Sequence, residues 1–209
     1  MLGLPKSTEV NRQLPKKLIY NKFQINTSAK DRFDEDISKL YIVNEISPST
    51  TNVTSTEEMS SIYVLLIELK KHDFDEKNIL LIQKLINQNM IFILQYEKKA
   101  RLAVFLTKLM QTEFIKVDEL KIVLNGLILS DIWNDIIVQI SGVKIKQGNT
   151  LKEQLEFENE KKKLERSIEI LEKQARRETQ PRKKFEIVQK TQELKRILEE
   201  LNNGQVKNA

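Results

Sequence analysis

Glu68 and Lys70 are the residues whose types and spacing could do chemistry, and they close an apolar run of strand length. Alternation along a strand would place both side chains on one face. This Glu-x-Lys arrangement is typical of metal-dependent nucleases, in which acids hold a divalent cation against the scissile phosphate and the lysine orients the attacking water. Residues 46–61 offer no aspartate as the second acid, so Asp34 or Asp36 would have to serve. The competing interpretation is a pair of charged residues where a buried strand meets solvent.

Other reactive groups are scarce in this sequence of 209 residues. It has no cysteine, which excludes disulfides, thiolate catalysis and Cys-ligated zinc. His72 is the only histidine, and the five glycines are scattered, so neither a histidine metal cluster nor a glycine-rich phosphate loop can form. We therefore expect no metal and no cofactor, and an enzyme only if Glu68 and Lys70 are catalytic.

Basic residues concentrate in two places, although the net charge is only +5. A polyanion such as DNA would bind at these two sets, and the alternative is solvated charge that maintains solubility. The first set is near the N-terminus and the second lies late in the chain: Lys6, Lys16, Lys17 and Lys22, and then Arg176, Arg177, Arg182, Lys183 and Lys184.

Hydropathy patterning predicts the elements that would position these residues. Apolar runs at 62–70 and 90–96 bracket a segment of helical period at 78–86, which indicates a buried β-α-β unit. Asp73 or Asp75 is placed to cap its helix. The spacing of Phe33, Ile37, Leu40 and Tyr41 predicts a helix over about 31–43, and the prolines of residues 1–25 favour an extended arm. A further helix is expected from a Ser130 cap to Gly142.

The C-terminal third has the apolar spacing of a coiled coil. Pro181 divides it into helices of about 151–177 and 182–202, which we expect to form an antiparallel hairpin, a single kinked helix being the alternative. So narrow a seam buries little by itself, so a partner or a second copy should cover it. The seam residues proposed as the partner interface are Leu164, Ile168, Leu171, Ile187, Leu194, Leu198 and Leu201.

These patterns predict an α+β protein. A mixed-sheet domain with flanking helices and an N-terminal arm would occupy residues 1–142, followed by a linker at 143–150, the coiled-coil hairpin at 151–202 and a flexible tail at 203–209. No apolar segment has the length of a signal peptide's core or of a membrane span. The expected location is the cytoplasm, without a membrane partner.

Several short motifs resemble an uncharacterised bacterial family, the domain of unknown function DUF4391, over roughly residues 2–142. The resemblance implies an occurrence beside helicases and DNA methyltransferases of restriction-like and antiphage loci. Ser61 stands where the family tends to have a glutamate and Ile42 where it tends to have a tryptophan, so a catalytic role for that glutamate would leave this member inactive. The motifs that carry the resemblance are Leu4-Pro5-Lys6, Leu14-Pro15-Lys16-Lys17, Phe33, Ile37-x-x-Leu40, Ser49-Thr50-Thr51-Asn52-Val53, Ile67-Glu68-Leu69-Lys70 and Ile91-Phe92-Ile93-Leu94.

The functional expectation is a non-catalytic accessory subunit of a bacterial defence or restriction-like assembly. Its partner would be a helicase or another large DNA-processing subunit, and the coiled coil could also form a homo-oligomer. Two alternatives follow from the same residues: a metal-dependent nuclease that uses Glu68 and Lys70, and a stand-alone DNA-binding module that uses the two basic sets.

Overall fold

The computed structural model describes residues 2–57, 59–145 and 150–204. The chain divides into two compact units, Met1–Gly142 and Val143–Ala209. Residues 146–149 of the expected linker and residues 205–209 of the expected tail lie outside the described residues.

The first unit is a mixed sheet with helices packed against it. Its described elements, apart from short 3-10 turns, are β1 (Glu9–Gln13), α1 (Lys16–Phe23), α2 (Thr27–Asp36), β2 (Ile37–Ile46), β3 (Ile62–Leu69), α3 (Lys77–Ile86), β4 (Asn89–Tyr96), β5 (Lys99–Phe105), β6 (Leu109–Gln111), β7 (Ile115–Lys116) and α4 (Leu129–Ser141). The strand order is β1-β2-β3-β4-β5-β6, and β7 pairs with β5. The β3–β4 pair is parallel and the other pairs are antiparallel. The predicted α+β class with one mixed sheet is therefore confirmed.

The central β-α-β segment forms as its apolar pattern predicts, with bounds that differ by one or two residues. Strands β3 and β4 are buried along most of their length, so they need apolar side chains on both faces. The backbone N–H of Lys77 donates to Asp75 Oδ1 at 2.9 Å, which satisfies an orphan donor at the start of α3. Asn87 ends the helix in the left-handed conformation.

The predicted helix over 31–43 is wrong in its second half, because α2 ends at Asp36 and β2 begins at Ile37. The β2–β3 register shifts between Ile37 and Lys39 and again between Ile42 and Asn44. A bulge inserts a residue and breaks the alternation of apolar and polar positions. As a result the apolar residues of β2 recur at a spacing that imitates a helix.

The prediction of an extended arm over residues 1–25 is wrong for α1 and correct for β1. Helix α1 begins directly after Pro15, which is its N-cap residue, and it buries Ile19 completely. Strand β1 forms one edge of the sheet, and all five of its residues are exposed. Its pairing with β2 is irregular between Glu9 and Arg12, and Asn11 has a φ of 49°.

Helix α4 closes the first unit. It buries the stripe that includes Trp133, Ile136, Ile137 and Ile140, as predicted. The helix begins one residue earlier than the proposed Ser130 cap, with Ile128 at the N-cap. Gly142 ends it with a φ of 67°, a left-handed conformation that glycine adopts without steric cost.

The second unit consists of α5 (Leu151–Arg177) and α6 (Pro181–Gly204), which pack against each other. Thr150 and Glu153 form a capping box at the start of α5, and Pro181 is the first residue of α6. An ion pair of 2.7 Å joins Glu172 of α5 to Lys195 of α6. No helix in the parts of the chain that the structure describes combines the length and the apolar character needed to cross a bilayer.

Candidate functional site

Glu68 and Lys70 lie where β3 leaves the sheet. Ile67 and Leu69 belong to the core beneath α3, so alternation directs the half-buried Glu68 to the opposite face. Lys70 follows the strand with an exposed side chain, and its backbone N–H donates to the carbonyl of Asp36 at 2.8 Å. A backbone hydrogen bond therefore brings the motif next to Asp36, one of its two candidate acids.

The Asp36 carboxylate nevertheless points away from Glu68, toward α3. The residue is 2% exposed and accepts hydrogen bonds from the Asp75 backbone N–H at 2.8 Å and from Asn78 Nδ2 at 2.7 Å. Lys71 completes the cluster with an ion pair of 2.7 Å, and the Asp36 carboxylate raises the pKa of Lys71. These bonds fasten the β3–α3 loop to the end of α2.

This arrangement does not assemble the two-acid nuclease site. Asp36 and Glu68 occupy opposite faces of the sheet, and Asp36 is already bonded within the protein. Across residues 2–57, 59–145 and 150–204, no three His, Asp or Glu side chains lie close enough together to hold a metal ion. The catalytic role of Glu68 and Lys70 stays a prediction without support from the geometry.

Asp34, the other candidate acid, binds residues of α1. Its Oδ1 accepts hydrogen bonds from Lys16 Nζ at 2.7 Å and from the Tyr20 hydroxyl at 2.6 Å. Burial raises the pKa of Asp34, but these bonds and the charge of Lys16 outweigh burial and hold the pKa below its ordinary value. Burial, reinforced by the Asp34 carboxylate, raises the pKa of Tyr20.

Two of the four basic residues of the first set have partners within their own unit. Lys16 is committed to Asp34, and Lys22 Nζ donates to the carbonyl of Leu85 at 2.9 Å. Lys6 and Lys17 have exposed side chains. Two of the four predicted DNA contacts therefore also bind within their own unit.

The second basic set is brought together where α5 meets α6. Arg176 and Arg177 lie in the last turn of α5, and Arg182, Lys183 and Lys184 lie in the first turn of α6. Only residues 178–180 connect the helices, and all five basic side chains are exposed. Arg182 approaches Glu186 at 3.6 Å. This end of the helix pair presents concentrated positive charge to solvent.

The seam residues proposed as a partner interface are incompletely covered. Ile168 is 8% exposed, and the other six, Leu164, Leu171, Ile187, Leu194, Leu198 and Leu201, are half-buried. Sequence reasoning missed a further set of large apolar side chains that are exposed on the same unit: Ile170, Phe185, Val188 and Ile197. Their signal was present in the sequence, since these positions interrupt the charged faces of the two helices.

A second group that sequence reasoning missed surrounds Arg101 of β5. A cavity of about 230 Å³ near the start of α3 is lined by His72, Asp73, Phe74, Glu76, Arg101 and Gln111. Burial lowers the pKa of Arg101, and the charges of Glu76 and Glu113 oppose this effect. The available signal was an arginine in the middle of a mostly apolar strand.

Comparison with known proteins extends the similarity beyond the first unit. The family described as a domain of unknown function, DUF4391, matches residues 2–201, whereas the motifs in the sequence indicated only about 2–142. Neither a curated protein nor a solved structure matches the chain. Because the match covers nearly all of both units, the chain belongs to the DUF4391 family.

Proposed function

We propose that this chain is a non-catalytic accessory subunit of a bacterial antiphage or restriction-like assembly in the cytoplasm. It binds a larger DNA-processing enzyme, a helicase, nuclease or methyltransferase, through the first unit and through α5 and α6, which act as a coiled-coil hairpin. The family resemblance gives the partner class, because it implies a neighbourhood of helicases and DNA methyltransferases.

The observation that carries this proposal is the apolar surface of α5 and α6. Phe185 is 62% exposed and Ile170 is 56% exposed on helices that are otherwise rich in charge. Four large apolar side chains stay exposed on this helix pair and most of its seam is only half-buried, which leaves apolar area that a protein partner would cover. A helix of 27 residues is about 40 Å long, which is long enough to span a protein interface.

The test is co-purification of the full chain with the purified products of its neighbouring genes. We expect one of them, a DNA-processing enzyme, to bind, and we expect the double variant Phe185→Asp and Ile197→Asp to weaken binding at least tenfold. Gln192→Asp, an exposed polar position on the same helix, is the matched control and should bind normally. Circular dichroism should be unchanged in all three proteins.

Three results would contradict this proposal. The wild-type chain could bind none of the neighbouring products, or the double variant could bind as the wild type does. Light scattering could also show a homodimer that the double variant dissociates, which would assign the apolar surface to a second copy of the chain.

A second candidate function, stand-alone DNA binding, is favoured by the five exposed basic residues in the last turn of α5 and the first turn of α6. If these residues contact phosphates, log affinity should fall with log salt at a slope of about −4. Reversing the charge of Arg176, Arg177, Lys183 and Lys184 should abolish the binding, while Lys162→Glu on α5 should reduce it only slightly. Salt-insensitive binding would contradict this function.

A cleavage assay tests the nuclease alternative directly. Pure protein is incubated with DNA and Mg²⁺ or Mn²⁺ beside a Glu68→Ala variant. Cleavage that Glu68→Ala abolishes would replace the accessory role by an enzymatic one, and equal or absent cleavage in both proteins would end the alternative.

A further inference from the structure

The Arg101 guanidinium packs against two aromatic rings. Its Cζ lies 4.4 Å from the centroid of the Phe114 ring and 5.4 Å from that of Phe74. Its Nε is enclosed and has no hydrogen-bond partner, and the described segments supply no carboxylate within ion-pair distance. Arginine carries five N–H donors, and such donors normally find an acceptor when they are enclosed. Arg101 is therefore a positioned group whose enclosed Nε–H finds no acceptor among the described residues.

Acidic groups line the same cavity as Arg101. Asp73 and Glu76 come from the β3–α3 loop, whereas Arg101 comes from the sheet. Gln111 Nε2 donates to Glu76 Oε1 at 3.3 Å, and the enclosed Gln111 Oε1 has no partner within residues 2–57, 59–145 and 150–204. The cavity lies near the carboxyl ends of the parallel strands β3 and β4, where ligands commonly bind between strand ends and the following helix.

This mixture of charges restricts the chemical class of ligand. A simple anion would bind Arg101 but would be repelled by Asp73 and Glu76, and a simple cation would have the opposite difficulty. The ligand must carry hydrogen-bond acceptors for the guanidinium and donors for a carboxylate. A neutral group that has hydrogen-bond acceptors on one edge and hydrogen-bond donors on another meets this requirement.

Guanine has this distribution of donors and acceptors. Its O6 and N7 are adjacent acceptors that arginine binds with two parallel hydrogen bonds, and its N1–H and N2–H₂ are donors suited to a carboxylate. Adenine places an N6–H₂ donor beside N7, which opposes arginine. His72, whose ring centroid lies 4.6 Å from that of Phe114, is exposed and offers a planar face for stacking. A cavity of about 230 Å³ is large enough to admit one base.

We propose that the pocket around Arg101 binds a guanine base, supplied by a free guanine nucleotide or by an unpaired guanine in single-stranded DNA. Arg101 binds O6 and N7, Glu76 accepts from the Watson–Crick edge, and His72 stacks on the ring. This proposal does not rest on the accessory function. Base binding and partner binding are tested in separate experiments, so either can fail without the other.

Isothermal titration calorimetry of the full chain tests the ligand class. We expect GMP to bind at least tenfold more tightly than AMP or CMP, and inorganic phosphate not to bind. A second titration compares a thymine nonamer that has a central dG with an all-thymine nonamer. If the dG nonamer binds but GMP and the all-thymine nonamer do not, the site is assigned to DNA. Equal affinity for GMP and AMP, equal affinity for GMP and CMP, binding of phosphate alone, or no binding by GMP and the dG nonamer overturns the proposal.

Variants test the assigned residues. Arg101→Lys keeps the positive charge but loses the two-pronged geometry, so guanine affinity should fall roughly 5- to 150-fold. Glu76→Gln alters an exposed side chain and should reduce the preference for GMP over AMP, which keeps the proposal testable if Arg101→Lys fails to fold. Glu97→Gln, at an exposed position between β4 and β5, is the control and should bind GMP normally. Wild-type binding by both pocket variants would refute the assignment.

Discussion

The two units of this chain bury their apolar residues to different degrees. In the first unit the sheet and its helices enclose Phe92 and Ile67 completely, whereas the best-covered apolar seam residue of α5 and α6, Ile168, stays 8% exposed. A sheet covered by helices has an interior, while two helices share only a line of contact. The comparison teaches that stability should reside mainly in the first unit and that the second has apolar surface left for binding.

Truncating core residues gives the largest expected effect. Phe92→Ala should lower the free energy of unfolding of the first unit by about 3–5 kcal/mol, because it leaves a cavity in a fully enclosed site. Ile168→Ala should lower that of the second unit by about 2 kcal/mol, the lower end for such truncations. Urea unfolding followed by circular dichroism measures both, with the exposed Phe185→Ala as a control of small effect. If Ile168→Ala lowered the free energy of unfolding as much as Phe92→Ala, the proposed difference in stability between the two units would be wrong.

Removing the buried carboxylate of Asp36 should have the next largest effect. Asp36→Ala leaves the Asn78 amide and the Asp75 N–H without their acceptor, and we expect a loss of about 2–4 kcal/mol. Asp36→Asn keeps one acceptor oxygen and should cost less. Hydrogen exchange at the Asp75 amide should accelerate in Asp36→Ala, and unchanged exchange would show that this bond does not hold the loop.

Replacing a buried threonine by valine should have opposite effects on the stability of the two units. Thr191, 6% exposed, donates to the carbonyl of Ile187 within its own helix, so Thr191→Val should stabilise the second unit by about 0.5–1 kcal/mol. The Thr8 hydroxyl accepts from Asn44 Nδ2 at 2.8 Å, so Thr8→Val should destabilise the first unit by about 1–3 kcal/mol. Thermal unfolding measures both, and a stabilising Thr8→Val would remove the contrast.

Protonation of Asp34 at low pH should have the smallest effect on stability. The pKa of Asp34 is below its ordinary value, so its contribution to stability is present above about pH 4, the ordinary pKa of an aspartate, and is lost as pH falls through the lower, folded-state pKa. Lys16→Met should move the Asp34 pKa upward, measured by NMR titration of the carboxyl carbon. The hydrogen bond from Lys195 likewise lowers the pKa of Glu172. Because this pair is open to solvent, the lowering should disappear in about 1 M salt. An Asp34 pKa unchanged by Lys16→Met would contradict the proposed ion pair.

The sequence predicts the elements whose periodicity is uninterrupted. The β3-α3-β4 segment and helices α4, α5 and α6 are recovered to within a few residues because long apolar runs and strong helix boundaries leave few alternatives. Residues 37–43 of strand β2 were predicted as helix because two register shifts disturb the alternation of the strand. Helix α1 is short, and burial of Ile19 in the folded unit supplies stability that its local sequence does not indicate.

The candidate sites were harder to predict because they depend on contacts between distant segments. Asp36 and Asn78 are 42 positions apart, and Arg101 meets Phe74 across the fold. No local spacing encodes such pairs. The basic residues in the last turn of α5 and the first turn of α6 could be predicted because a short connection brings neighbours in sequence together.

The outer edge of the sheet has a consequence for the behaviour of the protein at high concentration. Strand β1 has exposed Glu9 and Arg12 and a left-handed Asn11 at its register shift, so a neighbouring molecule finds no straight row of amides and carbonyls along it. Charged side chains and irregular backbone at an edge oppose strand-to-strand growth. The molecule is thereby protected at β1 from joining others into fibrils, a protection that a flat, apolar replacement for residues 9–13 would remove.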